Sequence, residues 1–316
     1  MHHPTIWGRG CALAQGFLLG AVFLGSQGAD AAPLARCVPG PGQEKPVRLE
    51  AWPTLEAEAA KGLKLEIEKL RRATSPEMAS AADAALRAAG AGVVPELLPT
   101  LGKEKNPEAQ KRIEAVLHAL TGPEHTRLLA KEFQHKAVEV RIWTLERTAQ
   151  LPDAELVEPA EQALLRARAA HAKAKGEDRL LRRELEAAGL CATGAGSLAG
   201  FDVVEKIACE QWNARRTTLR TVLASVRGSA AAEKSKVGLD SKERTRIVGA
   251  LNMLSACGTQ ENTGWIAPFL DDSDNSIRVA AINACRGIVD GQDPIENMPV
   301  FEAVELAQKW KARIRR

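Results

Sequence analysis

The residues that could do chemistry in this 316-residue chain do not form a catalytic pattern. The glycine-rich stretch 191–200 lacks a preceding strand and the glycine spacing of a dinucleotide-binding loop. The sequence also lacks a phosphate-binding Gly-Lys-Ser/Thr loop and the Gly-x-Ser-x-Gly turn that exposes a serine nucleophile. We therefore expect no catalytic residue and no cofactor, and we predict that the protein is not an enzyme.

Histidine and cysteine, the usual zinc ligands, also lack metal-binding spacing. No pair of histidines forms a His-Glu-x-x-His arrangement, and no two cysteines are separated by two residues. The sequence therefore predicts no metal site. A cysteine–histidine nucleophile pair stays open, because such partners meet only in space.

Arginines and one tryptophan form the strongest candidate binding surface. Arg216 and Arg220 share one helix face, because they are four residues apart. Arg215 lies beside them, and Trp212 precedes Arg216 by one turn. Tryptophan and arginine are common anchors of protein interfaces. The residues predicted to contact a partner are Trp212, Arg215, Arg216 and Arg220, together with the 191–200 loop.

The alternative interpretation of these arginines is a solvated surface that the chain itself neutralises. Glu184, Glu186 and Glu210 are close enough in sequence to balance the central arginines. The basic residues of 309–316 are favourable at the end of a last helix, because they face its partial negative charge. The formal net charge of only +3 gives no reason to expect a nucleic-acid partner.

Residues 1–31 have the layout of a secretory signal peptide. The cation Arg9 precedes an apolar run that begins at Cys11, and Ala29-Asp30-Ala31 offers a cleavage site. The run contains Gln15 and several glycines, and it is shorter than the roughly 20 apolar residues of a membrane span. We predict cleavage and export to the periplasm or beyond, rather than retention as an anchor, and no other membrane span.

Five of the six cysteines follow the predicted cleavage site, so at least one thiol stays unpaired. Cys257 and Cys285 fall at apolar positions of predicted helices, where cysteine packs as a small hydrophobic side chain. An oxidising compartment would also allow a disulfide between them. We favour core packing.

A period of 31 residues organises the rest of the chain. Leu86, Leu117 and Thr148 are spaced by 31 residues, and so are Leu254 and Cys285. Each lies near the end of one helical segment, before a short second segment and a polar turn. Aromatic residues make up only 4% of the chain and no stretch alternates as a strand would, so we expect helices throughout. A fixed period of this size is typical of a stacked array of helix pairs.

The repeated segments resemble a known family. Leu254 to Val289, in which Ile277-Arg278-Val-Ala-Ala281 opens the second helix, resembles a HEAT repeat of the short bacterial kind. Leu86 to Leu120 is similar, with Gln110 in place of the usual arginine, and Thr148 stands where an apolar residue is usual. The resemblance implies an all-α fold, an α-solenoid of stacked antiparallel helix pairs wound into a right-handed superhelix. It also implies a surface that binds proteins.

The middle of the chain breaks the period, and we interpret it as longer helices with inserted loops at 191–200 and 228–240. The predicted divisions are a signal peptide (1–31), a flexible linker (32–53), N-terminal HEAT-like repeats (54–153), an irregular long-helix region with an inserted loop (154–240), and C-terminal HEAT-like repeats with a capping helix (241–316).

Three functions compete at this point. The leading hypothesis is a non-enzymatic protein–protein interaction scaffold of the cell envelope or secreted space. The first alternative is an enzyme or enzyme accessory of the HEAT-like lyase type, which a cleft with strongly perturbed ionisable groups would favour. The second is a binder of an anionic polymer or membrane surface through arginine-rich helix faces, which would bind in a strongly salt-dependent way.

Overall fold

The computed structural model describes residues 48–175 and 177–314. The predicted signal peptide, Cys37 and most of the predicted linker lie outside the described residues, so those assignments stay predictions. No strand is present in the described ranges, and none of their helices is long and apolar enough to cross a bilayer.

Fourteen α-helices make up most of the described chain. Their bounds are α1 Ala57–Arg72, α2 Pro76–Ala88, α3 Val94–Leu101, α4 Pro107–Leu120, α5 Thr126–Lys131, α6 Val138–Gln150, α7 Val157–Lys173, α8 Arg179–Gly194, α9 Phe201–Ser225, α10 Ser229–Leu239, α11 Arg244–Cys257, α12 Thr263–Ile266, α13 Asn275–Cys285 and α14 Val300–Ile314.

These helices pack as pairs in successive layers. Each pair consists of two helices that are consecutive in the chain and pack on each other; we call them the first and the second helix of the pair. The pairs are α3–α4, α5–α6, α7–α8, α10–α11 and α12–α13. The second helices also contact one another in series, from α6 to α8, α9, α11 and α13. The predicted all-α solenoid of stacked antiparallel helix pairs is confirmed.

The helix α9 stacks with the other second helices but has no first helix before it. This missing first helix explains the break in the 31-residue period. The chain passes from α8 to α9 through residues 195–200, which contribute only a 3₁₀ turn at 198–200. The layer of α9 therefore has no first helix of its own. The division of the chain at 154 and 240 stays a prediction.

Short polar side chains cap the starts of the second helices α4 and α13. Asn106 accepts a hydrogen bond from the Glu108 N–H at 2.9 Å, and Pro107 occupies the first helical position. Asp274 accepts one from the Ser276 N–H at 2.7 Å at the start of α13. Each bond satisfies a backbone donor that the first turn of a helix leaves unpaired.

A side chain in the first turn of three second helices also reaches back to a carbonyl oxygen six residues earlier. The donor–acceptor pairs are Gln110–Glu104 at 2.8 Å, Arg141–His135 at 2.8 Å and Arg278–Asp272 at 2.7 Å. Positions 110 and 141 are 31 residues apart. Gln110 therefore makes the same contact as the arginines of the other repeats, and its amide replaces a guanidinium without losing the bond.

Cysteines pack in the cores between layers. Cys191, Cys257 and Cys285 are buried, Cys209 is half-buried, and all four are free thiols. The predicted core packing of Cys257 and Cys285 is confirmed. Thr148 is also buried, and its hydroxyl donates to the Thr144 carbonyl at 2.7 Å, which is how a polar residue is accommodated there.

The segment predicted as a loop at 228–240 is helical, and so is the first part of the segment predicted at 191–200, whereas residues 195–200 form a connection between helices. The prediction of inserted loops is therefore wrong for 228–240 and for 191–194. Residues 191–194 are the buried last turn of α8, and 229–239 form α10. Small residues caused the error, because glycine and alanine are frequent in loops but also allow close helix contacts. At Gly200 an added Cβ would collide with the carbonyl oxygen of Gly189, so these two glycines set the spacing of α8 and α9.

We expect Gly200→Ala to destabilise the protein by about 1–3 kcal/mol, because the new methyl group meets backbone that must shift. Gly62→Ala is the matched control, since a Cβ at that exposed position of α1 has nothing within 4 Å. Alanine there should stabilise the helix slightly. Denaturant unfolding of both variants measures the difference. Equal effects of the two substitutions would contradict the close α8–α9 contact.

We expect Gln110→Arg to leave the stability within about 0.5 kcal/mol of wild type, because arginine reaches the equivalent carbonyl in other repeats. Gln110→Leu should cost about 1–3 kcal/mol, because the Glu104 carbonyl oxygen then loses its partner. Thermal or denaturant unfolding checks both values. If arginine proves as damaging as leucine, the reach-back bond is not what this position contributes.

Candidate functional site

A groove of about 810 Å³ lies on the second-helix face, which we define as the exposed side of α4, α6, α8, α9, α11 and α13. Three of these helices line the groove: α9 with Trp212 and Arg216, α11 with Val248 and Asn252, and α13 with residues 275–283. Apolar side chains, side-chain amides and the charged side chains of Glu210, Arg216 and Glu296 line it together, so it can contact both the side chains and the backbone of a bound molecule.

A non-helical segment closes one side of the groove. This segment, residues 291–299, is called the strap and connects the π-helical turn Arg286–Asp290, which follows α13, to α14. On its other side lies a second cavity of about 630 Å³. Arg216, Pro294 and Glu296 line both cavities, so the strap divides one larger depression into two.

The α9 helix bends where the predicted binding residues lie. Gln211 and Arg215 have non-helical φ angles of −136° and −119°. These bends place neighbouring side chains against different parts of the molecule. Arg215 contacts Glu186 of α8 at 3.6 Å and Glu146 of α6 at 3.9 Å, away from the strap.

The other predicted residues reach the groove and the strap. Trp212 is only 8% exposed and lines the groove. Arg216 forms an ion pair with Glu296 at 2.5 Å, and Arg220 forms one with Asp293. The structure thus brings Trp212 and Arg216 to the groove, places Arg220 at the second cavity and directs Arg215 elsewhere. Partner binding by the four residues stays a prediction.

Internal pairing accounts for the central arginines, in part through the predicted acids. Glu186 contacts Arg182 and Arg215, both at 3.6 Å, as the neutralised interpretation requires. Glu184 instead binds Arg141 of α6 through two bonds of 2.6 and 2.9 Å and is buried.

Near the chain end, Lys311 and Arg313 pair with Asp271 and Asp290, each at 2.5 Å. Glu210 is exposed at the groove.

Ionisable groups gather on the earlier part of the second-helix face, where sequence reasoning found no site. Glu114 and His118 lie one turn apart on α4, and Glu146 of α6 binds Arg183 of α8 at 2.9 Å. Burial raises the pKa of Glu114. The positive charge of Arg183 lowers this pKa and the negative charge of Glu146 raises it, and the net shift is upward. Burial also lowers the pKa of His118. Only the Glu114–His118 spacing was visible in the sequence, because the other members come from different layers.

Metal and thiol chemistry find little support among the described residues. Within 48–175 and 177–314, no group of three or more His, Cys, Asp or Glu side chains could hold a metal ion. Burial raises the pKa of Cys257 to about 11 and that of Cys285 to about 12, so both thiols stay protonated at neutral pH. These side chains act in packing.

We expect Glu114→Gln to raise the midpoint of thermal unfolding at pH 7. A carboxyl whose pKa is raised on folding weakens the folded state as the pH rises through that pKa. Glutamine removes this cost, and the gain should disappear below about pH 4, where the carboxyl is protonated in both states. Glu108→Gln, on the same helix, is the opposite control: its bond to Lys111 lowers its pKa, so its loss should lower the midpoint at pH 7. Shifts of the same sign would contradict this account.

Comparison with known proteins finds likeness only among solved structures. No model of a known protein family matches the chain, and no curated protein matches it. The complex of CpcE and CpcF of phycocyanin lyase from Nostoc sp. PCC7120 is 15% identical with a TM-score of 0.40, over 86% of this chain and 100% of that chain. Human deoxyhypusine hydroxylase in complex with glycerol is 13% identical with a TM-score of 0.31, over 81% and 98%.

These comparisons correct one prediction. Both similar proteins are named as an enzyme or part of one, so the prediction that this chain is not an enzyme is wrong: a helical solenoid does not speak against an enzymatic role. At 13–15% identity the likeness concerns the fold alone, and no residue role is carried over. The layered helix pairs described above give the described residues an all-α solenoid fold of the HEAT-like kind.

Proposed function

We propose that this protein is a protein-binding subunit that acts as an accessory to an enzyme. Its groove between α9, α11 and α13 holds a segment of a partner protein and presents that segment for the reaction. Trp212 and Arg216 contribute to the contact from α9, and Arg220 and Arg215 support it by holding the strap and the bend of α9 in place.

The groove is the observation that carries this proposal. Its volume of about 810 Å³ is similar to that of small-molecule pockets, about 300–1,000 Å³, so it has room for a few side chains of a bound segment. Trp212, Val248 and Val279 offer apolar contacts, and Asn252 offers a donor and an acceptor beside them. This combination suits a polypeptide, which brings apolar side chains and a hydrogen-bonding backbone together.

The chemistry of the groove supports recognition more than turnover. Its amides and the guanidinium of Arg216 form hydrogen bonds without exchanging protons at neutral pH. Of its two carboxylates, Glu296 is paired with Arg216 and Glu210 is exposed. The ionisable cluster around Glu114 lies on α4, α6 and α8, outside the groove. An accessory that presents a segment to a separate catalytic subunit therefore agrees with the groove better than catalysis within it.

The structure gives little support to the alternative function of binding an anionic polymer. The arginines that would bind it all pair with acids of the same chain; they are Arg183, Arg215, Arg216 and Arg220. The signal-peptide pattern of residues 1–31 supports placing the activity outside the cytoplasm, and we include export in the proposal.

We expect Asn252→Arg to abolish partner binding, because the long side chain fills the groove. The tagged full chain and the variant are expressed in the cells that make the protein, and co-purified proteins are quantified by mass spectrometry. The partner should be depleted at least about tenfold in the variant, which corresponds to roughly 1.4 kcal/mol of binding energy.

Val237→Arg is the matched control, since Val237 is an exposed residue of the first helix α10. That variant should retain the partner, and an enzyme in the captured set should work faster on the partner when the wild-type chain is added. Circular dichroism verifies that both variants fold. Identical captured proteins for both variants would contradict the groove as the binding site.

A further inference from the structure

The strap shows how this fold holds a non-helical segment. The side-chain amide of Asn283 donates from Nδ2 to the Ile295 carbonyl at 3.1 Å, and its Oδ1 accepts from the Ile295 N–H at 2.9 Å. One asparagine thus satisfies both backbone groups of one residue. The Ile295 side chain packs against the C-terminal apolar core. We call this two-bond arrangement a backbone clamp.

The 31-residue period places a second asparagine in the equivalent position one layer earlier. Asn252 on α11 corresponds to Asn283 on α13, and Val248 corresponds to Val279. All four side chains line the groove. Successive repeats therefore present the same pair, an asparagine and a valine one turn before it, to the same space.

Asn252 differs from Asn283 in having no clamped residue. The bond it receives, from Ser255 Oγ at 2.6 Å, goes to its main-chain carbonyl. Among the described residues its side-chain amide has no hydrogen-bond partner, and it is half-buried in the groove. An amide in such a place gains from a ligand that offers one donor and one acceptor together.

An extended backbone offers that pair, whereas a helix does not. In a helix the N–H and C=O groups bond to each other within the segment, so they are not free for a side chain. Segments bound in extended form use their main chain for affinity and pockets for selected side chains. Trp212 and Val248 supply an apolar pocket beside Asn252.

We propose that Asn252 is a second backbone clamp, which holds an extended segment of the partner protein in the groove beside the strap. An apolar residue of that segment occupies the clamped position, as Ile295 does at Asn283. The inference rests on the proposed function. It adds the conformation of the bound segment and the residue that forms hydrogen bonds with its backbone. The strap stays in place as one wall of the site.

Peptides selected on the full chain test the clamp. A random heptapeptide phage library is panned against the wild-type protein, and enriched sequences are synthesised with a fluorescent label for anisotropy titration. We expect an apolar residue at one fixed position. Methylating the backbone nitrogen at that position should weaken binding to the wild type about tenfold, because it removes the clamped N–H.

The Asn252→Leu variant identifies the protein side of the bond. It should weaken the unmethylated peptide about tenfold, and methylation should then cost little more, because the two changes remove the same interaction. Gln162→Leu, the same amide-to-leucine change at an exposed position of α7, should bind like wild type. If Asn252→Leu does not fold, Asn252→Ser replaces it.

Two results would overturn the inference. One is the enrichment of no peptide at all, and the other is a methylation effect of equal size in wild type and Asn252→Leu. Either result leaves the proposed function standing if Asn252→Arg still loses its co-purified partner. Retention of that partner by Asn252→Arg removes the proposed function, and the clamp with it.

Discussion

The reach-back hydrogen bond at the start of α4, α6 and α13 is the constraint on which the turns of these three layers depend. A turn between two packed helices leaves a carbonyl oxygen with reduced access to water, and such a group is costly without a partner. Gln110, Arg141 and Arg278 supply that partner from within the helix that follows. The bond fixes how each of these three helices leaves its turn, so the three enter their layers in the same way.

Two arginines also bind carbonyl oxygens that follow the C-terminal ends of helices in neighbouring layers. Arg112 donates to the carbonyl of Ala73, which follows α1, at 3.0 Å, and Arg227 donates to that of Gly258, which follows α11, at 3.0 Å. These bonds join successive layers through polar groups, while alanines and cysteines fill the space between them. Regular layers are what bring Asn252 and Asn283 to the lining of one groove.

The fold could be predicted from the sequence because its signals are local and periodic. The 31-residue spacing and the core positions of Cys257 and Cys285 could both be recognised from short stretches of the sequence. The helical nature of 191–194 and 229–239 could not be predicted in the same way, because small residues give the same local pattern in a loop and at a tight helix contact. Only the neighbouring helix decides between them.

The candidate site was accessible to sequence analysis in part. Trp212 and Arg216 were identified by residue type, but the direction of Arg215 depends on bends of α9 that carry no sequence signal. Asn252 and Asn283 were missed although the period contains them, because apolar positions alone were compared between repeats. The pair of Arg141 with Glu184 joins residues 43 positions apart and becomes visible only in the folded chain.

The bend of α9 directs the side chains of two adjacent residues, Arg215 and Arg216, toward different parts of the molecule. Arg215 is held by acids of α6 and α8, and Arg216 is held by the strap near the C-terminal end. A force that pulls the strap outward therefore reaches the earlier layers across a single peptide unit. Neighbouring residues of α9 thus join the earlier layers to the strap through ion pairs, in addition to the packing of α9 on α8 and α11.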